Sequence, residues 1–175
     1  AMDLVDNHDQ AYFGRPGIYG QRCANKILFE ADKIIAVGCR LSPWTIGHAG
    51  LRPEQELIMV DVDGREVSRF PQAVWFNEPI EDFLKQTAAA DCPQWLSDCS
   101  SWRARYPWIE SPTHDDANGY MNSYRIIGEI EKHLRPDEVI VTDNGCLICP
   151  VFQALHVAPP QRVLTSGGLG VMGCG

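Results

Sequence analysis

Short, unbroken apolar runs, each followed at once by a glycine or a polar turn residue, constrain this chain more than any other feature. Ile34-Ile35-Ala36-Val37 stops at Gly38, Leu57-Ile58-Met59-Val60 runs into Asp61-Val62-Asp63, and Val139-Ile140-Val141 gives way to Thr142-Asp143-Asn144-Gly145. Runs this short, without the alternation of a half-solvated strand, fit strands buried on both faces of a parallel sheet. Between them lie segments of helical period. Cys23, Ala24, Ile27, Leu28 and Ala31 recur at helical spacing while Gln21, Arg22, Asn25, Lys26 and Glu30 fill the other face, which predicts an amphipathic helix over 20–31. Ala73-Val74-Trp75-Phe76 reads as a further strand, followed by a helix over 79–90 in which Ile80, Phe83, Leu84 and Thr87 share a face. Alternating strands and helices imply right-handed crossovers, a parallel sheet, and ligands at the C-terminal strand ends. The fold class is therefore α/β.

A weaker helical pattern over 92–106 gives way to a polar, breaker-rich stretch with Pro107, Pro112, Thr113, His114, Asp115, Asp116, Asn118 and Gly119. Its length exceeds the usual connection within a compact domain, so it reads as a linker over 107–119 between a first domain, 1–106, and a second, 120–175. The second opens with another βαβ pattern: helix 122–134, strand 138–142, helix 147–156 and strand 162–165.

A 45% hydrophobic, 22% charged chain of 175 residues can bury one good core or two small ones. Its net charge of -8 and pI near 5.0 exclude a nucleic-acid or anionic-membrane surface, which would need clustered Lys and Arg. A small molecule is the expected partner. No apolar run approaches the roughly 20 residues of a membrane span, and the polar start AMDLVDNHDQ is unlike a signal peptide, so a cytoplasmic protein is expected. Ala1 before Met2 reads as a cloning remnant. Seven cysteines, an odd number, show no secreted disulfide framework and are expected to be free. Cys146-Leu147-Ile148-Cys149 has the spacing of a redox pair, whereas a zinc site would need a second ligand pair and the five histidines are scattered.

Two loops stand out. At the end of the first strand, Cys39-Arg40-Leu41-Ser42-Pro43-Trp44 sits where a nucleotide would approach a parallel sheet. Equally, Arg40 can be a surface cation and Trp44 a lid on the core. After the last strand, Thr165-Ser166-Gly167-Gly168-Leu169-Gly170-Val171-Met172-Gly173-Cys174-Gly175 is dense in glycine, which permits positive φ and close approach of a ligand to the backbone. It lacks the spacing of a phosphate-binding Walker loop.

The string Thr165-Ser166-Gly167-Gly168-Leu169-Gly170-x-Met172-Gly173 resembles the loop by which acetolactate synthases and related thiamine-diphosphate-dependent enzymes hold their cofactor's two rings. Val139-Ile140-Val141-Thr142-Asp143-Asn144-Gly145 resembles the strand and turn that lead to the diphosphate. Gly17-x-x-Gly20, Ala24-Asn25, Glu30-Ala31-Asp32, Ile35-Ala36-Val37-Gly38-x-Arg40 and Val60-Asp61-Val62-Asp63 resemble that family's middle domain in order and spacing. The resemblance implies a parallel-sheet, Rossmann-like middle domain, in part, followed by the opening βαβ of the diphosphate-binding domain. It implies thiamine diphosphate and Mg2+ in the parent enzyme, a 2-oxo acid substrate, a decarboxylase or carboligase reaction, and a homo-oligomer.

By that resemblance, Gly145, Gly168, Gly170 and Met172 bind the cofactor, with the Gly170 carbonyl accepting from its 4′-amino group and Met172 beneath its rings; Arg40 remains a candidate nucleotide contact. Two departures limit the carry-over. Cys146 and Leu147 stand where many relatives carry Gln-His toward the diphosphate, and Ser42-Pro43 stands where flavin-binding members carry paired aspartates, so FAD is not supported. The glutamate that presses on the pyrimidine and the magnesium ligands are not matched here, so no catalytic residue or metal ligand is assigned; Asp61 and Asp63 are read as closing a strand. The chain alone is expected to be truncated, catalytically silent and unable to bind the cofactor, with 167–175 mobile or held only by a neighbouring chain. The alternatives are a nucleotide-binding or regulatory α/β module and a Cys146/Cys149 redox protein.

Overall fold

The computed structural model describes residues 2–88, 90–110 and 115–175. Among the described residues, five strands form two separate parallel sheets. In the first, β1 (Lys33–Val37), β2 (Glu56–Val60) and β3 (Val74–Phe76) lie in sequence order, with Val37 opposite Val60 and Val60 opposite Phe76 at their C-terminal ends. In the second, β4 (Val139–Thr142) pairs with β5 (Arg162–Thr165), from Val139 opposite Arg162 to Thr142 opposite Thr165.

The helices follow the apolar periodicity. α1 (Arg22–Glu30) precedes β1 and α4 (Ile80–Gln86) follows β3, the latter buried at Phe83. α5 (Pro93–Arg105) forms despite its weak pattern because Pro93 is pre-set for a first helical turn and Cys99 packs into α1, where Cys23 is also buried. α6 (Ser123–Glu131), whose first turn is capped by the Asn122 side chain, and α7 (Ile148–Ala154) flank the second sheet. Two single-turn helices escape any periodicity, α2 (Pro43–Ile46) and α3 (Gly64–Val67). Asp63, expected to close a strand, instead caps α3 by accepting from the Arg65 amide at 3.0 Å.

One expectation needs correction. Continuous apolar runs predict strands covered on both faces, yet Ile35 in β1 is 53% exposed and Val141 in β4 is 50% exposed. β1 and β4 thus each leave one face open among the described residues, whereas β2 is buried on both, with Leu57 and Met59 on one face and Val60 on the other, and two core clusters form. The first comprises Ala36, Leu41, Leu57, Met59 and Val67. The second comprises Ile127, Val151, Ala154, Leu155 and Val157, with Tyr124, Ile140 and Val163 against it.

Met2 also belongs to the second cluster, because the irregular arm 2–21 runs along that unit. Asp3 accepts from Arg162 Nε at 2.7 Å and from the Val163 amide at 3.0 Å, Asn7 N donates to the Val157 carbonyl at 2.9 Å, and Arg15 Nε donates to the Phe152 carbonyl at 2.7 Å. Trp108 stacks on His156 at 4.0 Å. The two sheets are thus separate while the first residues of the chain serve the second core. Of the segment read as a linker, 111–114 lies outside the described residues, and Ala117 and Tyr120 form an isolated antiparallel bridge.

Candidate functional site

A parallel pair carries both of its outgoing loops to one edge, and β4 and β5 end together at Thr142 and Thr165. Beyond Thr142 the chain passes through Asp143 and Asn144 into Gly145, whose φ of 76° opens a single 3-10 turn, Gly145–Leu147, ahead of α7. Beyond Thr165, Ser166 starts a tight turn whose carbonyl accepts from Leu169 N at 2.9 Å and Gly170 N at 2.7 Å. Gly170, at φ 72°, adopts the left-handed backbone that glycine accommodates without steric cost.

The two loops are bound to each other. Asn144 Nδ2 donates to the Val171 carbonyl at 2.7 Å and to Ser166 Oγ, which itself donates to the Val171 carbonyl at 2.7 Å. Asp143 Oδ2 accepts from Gly173 N at 2.7 Å and Asp143 Oδ1 from Asn144 N at 2.8 Å. These amides, Asn144 first and then Gly173, hold the Asp143 carboxyl below its ordinary value by stabilising the charged form. The expectation that 167–175 is unheld within its own chain is therefore corrected. Its glycines alone do not stiffen it, but side chains some thirty positions upstream tie it down.

Gly145, Gly168 and Gly170 thus come to one edge together with Met172, and Arg40 does not join them. A Cβ at any of those three glycines would meet no atom within 4 Å, and the Met172 side chain is 79% exposed. Arg40 belongs to the first sheet's edge, where its Nε pairs with Glu66 at 3.1 Å and its carbonyl accepts from the Arg69 guanidinium. Cys146 is exposed and Cys149 half-buried, both free, and burial followed by the neighbouring Cys146 pushes the Cys149 thiol up, opposite to an activated thiolate. Among the described residues no cluster of three or more His, Cys, Asp or Glu side chains is arranged to hold a metal ion, and no helix is long and apolar enough to cross a membrane.

The donor set fits one half of thiamine diphosphate better than the other. An uncovered, polarizable thioether beside a glycine backbone with open space suits a pair of aromatic rings. On the side of Gly145 the side chains are Cys146 and Leu147, and the Asp143 carboxylate two positions before it would repel a diphosphate. Sequence reading missed the roles of Asp143 and Asn144 although both stand in the quoted string, because their partners are distant in sequence. The Trp108–His156 stack left no sequence signal at all.

Comparison with known proteins places these observations. Residues 1–87 match the family described as thiamine pyrophosphate enzyme, central domain. Over the whole chain, the acetolactate synthase isozyme 1 large subunit of Escherichia coli is 29% identical, with 32% of that subunit covered. The probable acetolactate synthase large subunit of Methanocaldococcus jannaschii is 28% identical over 93% of the chain and 29% of its own length. The pyruvate oxidase of Lactiplantibacillus plantarum is 23% identical over the whole chain and 30% of its own length. The chain spans about a third of the length of such relatives, and those that cover all of it include the glycine edge that the central-domain match leaves out.

Proposed function

We infer that this chain, which belongs to the thiamine-diphosphate-dependent enzymes of the acetolactate synthase type, supplies the ring-holding edge of a 2-oxo acid decarboxylase or carboligase. In this reading 1–106 is part of the middle domain, 107–119 a linker, and 120–175 the opening of the diphosphate-binding domain. The observation that carries it is the convergence of Gly145, Gly168, Gly170 and Met172 at the ends of two parallel strands, where open-sheet α/β proteins bind ligands.

Thiamine diphosphate, when bound, supplies the electron sink for the carbanion left by decarboxylation of a 2-oxo acid. The chain's own residues orient and shield. The Gly170 carbonyl would accept a hydrogen bond from the aminopyrimidine, Met172 would pack against the rings, and Gly168 would leave space for their approach. The Gly145 turn would offer backbone amides toward the diphosphate, whose charge Mg2+ would compensate. The reaction then needs groups that these residues do not include, so 1–175 by itself is catalytically silent. The enzyme is cytoplasmic and homo-oligomeric in this reading, and Ser42-Pro43, standing where flavin-binding members carry paired aspartates, leaves a flavin unsupported.

The test uses a protein that carries these residues within the full length typical of its relatives. Consumption of pyruvate, the substrate in one relative's name, should require both thiamine diphosphate and Mg2+. Met172→Ala should lower kcat/KM about tenfold or more, by loss of orientation. Turnover independent of the cofactor would refute the reading.

A further inference from the structure

Met172 has an exposed side chain on a restrained backbone, and the two facts have different causes. Its side chain is 79% exposed. The peptide on its N-terminal side is fixed by the Val171 carbonyl, which accepts from Asn144 Nδ2 and from Ser166 Oγ, each at 2.7 Å. The peptide on its C-terminal side is fixed by the Gly173 amide, which donates to Asp143 Oδ2 at 2.7 Å. Since these two peptide planes define the φ and ψ of Met172, two adjacent residues at the end of β4 set the direction in which its side chain leaves the loop.

A glycine-rich segment loses more conformational freedom on ordering than any other, so a loop with Gly167, Gly168, Gly170 and Gly173 will not hold one form without such ties. Here the ties come from a charged acceptor and a side-chain amide, and charge-assisted bonds are the stronger kind. Apolar burial contributes little at this edge, because Leu169 is exposed as well. Asp143 would be a poor neighbour for a diphosphate, yet its carboxylate is turned to the loop's amides and its Oδ1 also lies 3.8 Å from Cys174 Sγ.

We propose that Asp143 and Asn144 are positioning residues: they clamp the peptides on either side of Met172 so that its thioether and the Gly170 carbonyl are presented together to the thiamine rings. The clamp itself is independent of any ligand, whereas its purpose rests on the thiamine diphosphate reading.

Amide hydrogen exchange on the 175-residue protein reads the clamp directly. Asp143→Ala should speed exchange of the Gly173 amide about tenfold while leaving α7 amides such as Val151 unchanged, and Asp143→Asn, which keeps an acceptor oxygen, should recover part of the protection. In the wild type the Gly173 amide shift should also follow the Asp143 carboxyl titration, a coupling absent from Asp143→Asn. Unchanged Gly173 exchange in Asp143→Ala, or equal loss of protection at Val151, would overturn the clamp. Thiamine diphosphate affinity, measured with Mg2+ in the full-length protein, reads the purpose, and Asp143→Ala or Asn144→Ala should weaken it about tenfold. Normal affinity in variants with a loosened loop would overturn the positioning role. No binding by the wild-type full-length protein would instead defeat the thiamine reading, and the purpose with it, while the exchange result still decides the clamp.

Discussion

The two sheets end in edges of opposite character. At the first, the polar side chains of the loops are taken up by the chain's own groups, although Gly47 and Gly50 in the loop after β1 also face open space. Asp61 Oδ1 accepts from the Asp63 amide at 2.8 Å, Asp63 caps α3, Arg40 pairs with Glu66, and the Asp61 carbonyl takes the Trp75 indole at 2.8 Å. Even Gly38 is crowded, since a Cβ there would lie 2.6 Å from Ile80. At the second edge, hydrogen bonds fasten the loop backbones while Gly145, Gly168 and Gly170 face open space. The difference lies in what ties the loops: side-chain pairs within the first edge, and side-chain bonds to the loop backbone at the second.

The two edges should separate most strongly when the core beneath each is cut. Leu57→Ala and Leu155→Ala remove fully buried side chains and should each cost about 2–5 kcal/mol. Amide exchange should localise the first loss to β1, β2 and β3, and the second to β4, β5 and the arm 2–21, whose Met2 shares that core. An arm still protected in Leu155→Ala would show that it does not depend on the second core.

A smaller effect is expected at Asp3, whose side chain is almost fully buried. Burial raises its pKa, but the Arg162 guanidinium and the Val163 amide outweigh this and leave it below its ordinary value of 3.8. Its contribution is therefore complete above about pH 4 and lost as pH falls through the folded pKa. Asp3→Ala should cost about 1–3 kcal/mol at neutral pH in a denaturation experiment, and correspondingly less in acid.

The least effect belongs to the first edge. The Arg65 side chain, and then its amide, lower the Asp63 pKa from 3.8 to about 2. The cap should thus be intact above about pH 4 and released as pH falls through about 2, with α3 fraying there and β2 unaffected. A carboxyl titration near 4 by NMR would show that the cap does not form in solution.

Much of this was legible in the sequence, for physical reasons that differ by element. Ile34 to Val37, Leu57 to Val60 and Val139 to Thr142 became strands because short apolar runs have few other ways to be buried. α1 and α6 followed their 3.6-residue stripes. The glycines of the candidate edge were found because they signal backbone freedom, and Met172 because the string around it resembles a known loop. What stayed hidden depends on contacts distant in sequence: Asp143 with Gly173, Asn144 with Val171, Met2 with the second core, and Trp108 with His156. α2 and α3 were missed because a single turn has no period. The exposed faces of β1 and β4 were missed because a continuous apolar run does not tell which side is covered.

We propose that the second edge holds the rings of thiamine diphosphate yet does not bind the cofactor alone, because the side chains that follow Gly145 are Cys146 and Leu147 and the carboxylate of Asp143 precedes it. Titration calorimetry of a homogeneous protein of residues 1–175 with thiamine diphosphate and Mg2+ tests it most directly. A few net hydrogen bonds of about 1 kcal/mol each leave binding no tighter than about 1 mM, so no heat of binding is expected at micromolar cofactor. A micromolar Kd for residues 1–175 would contradict the claim.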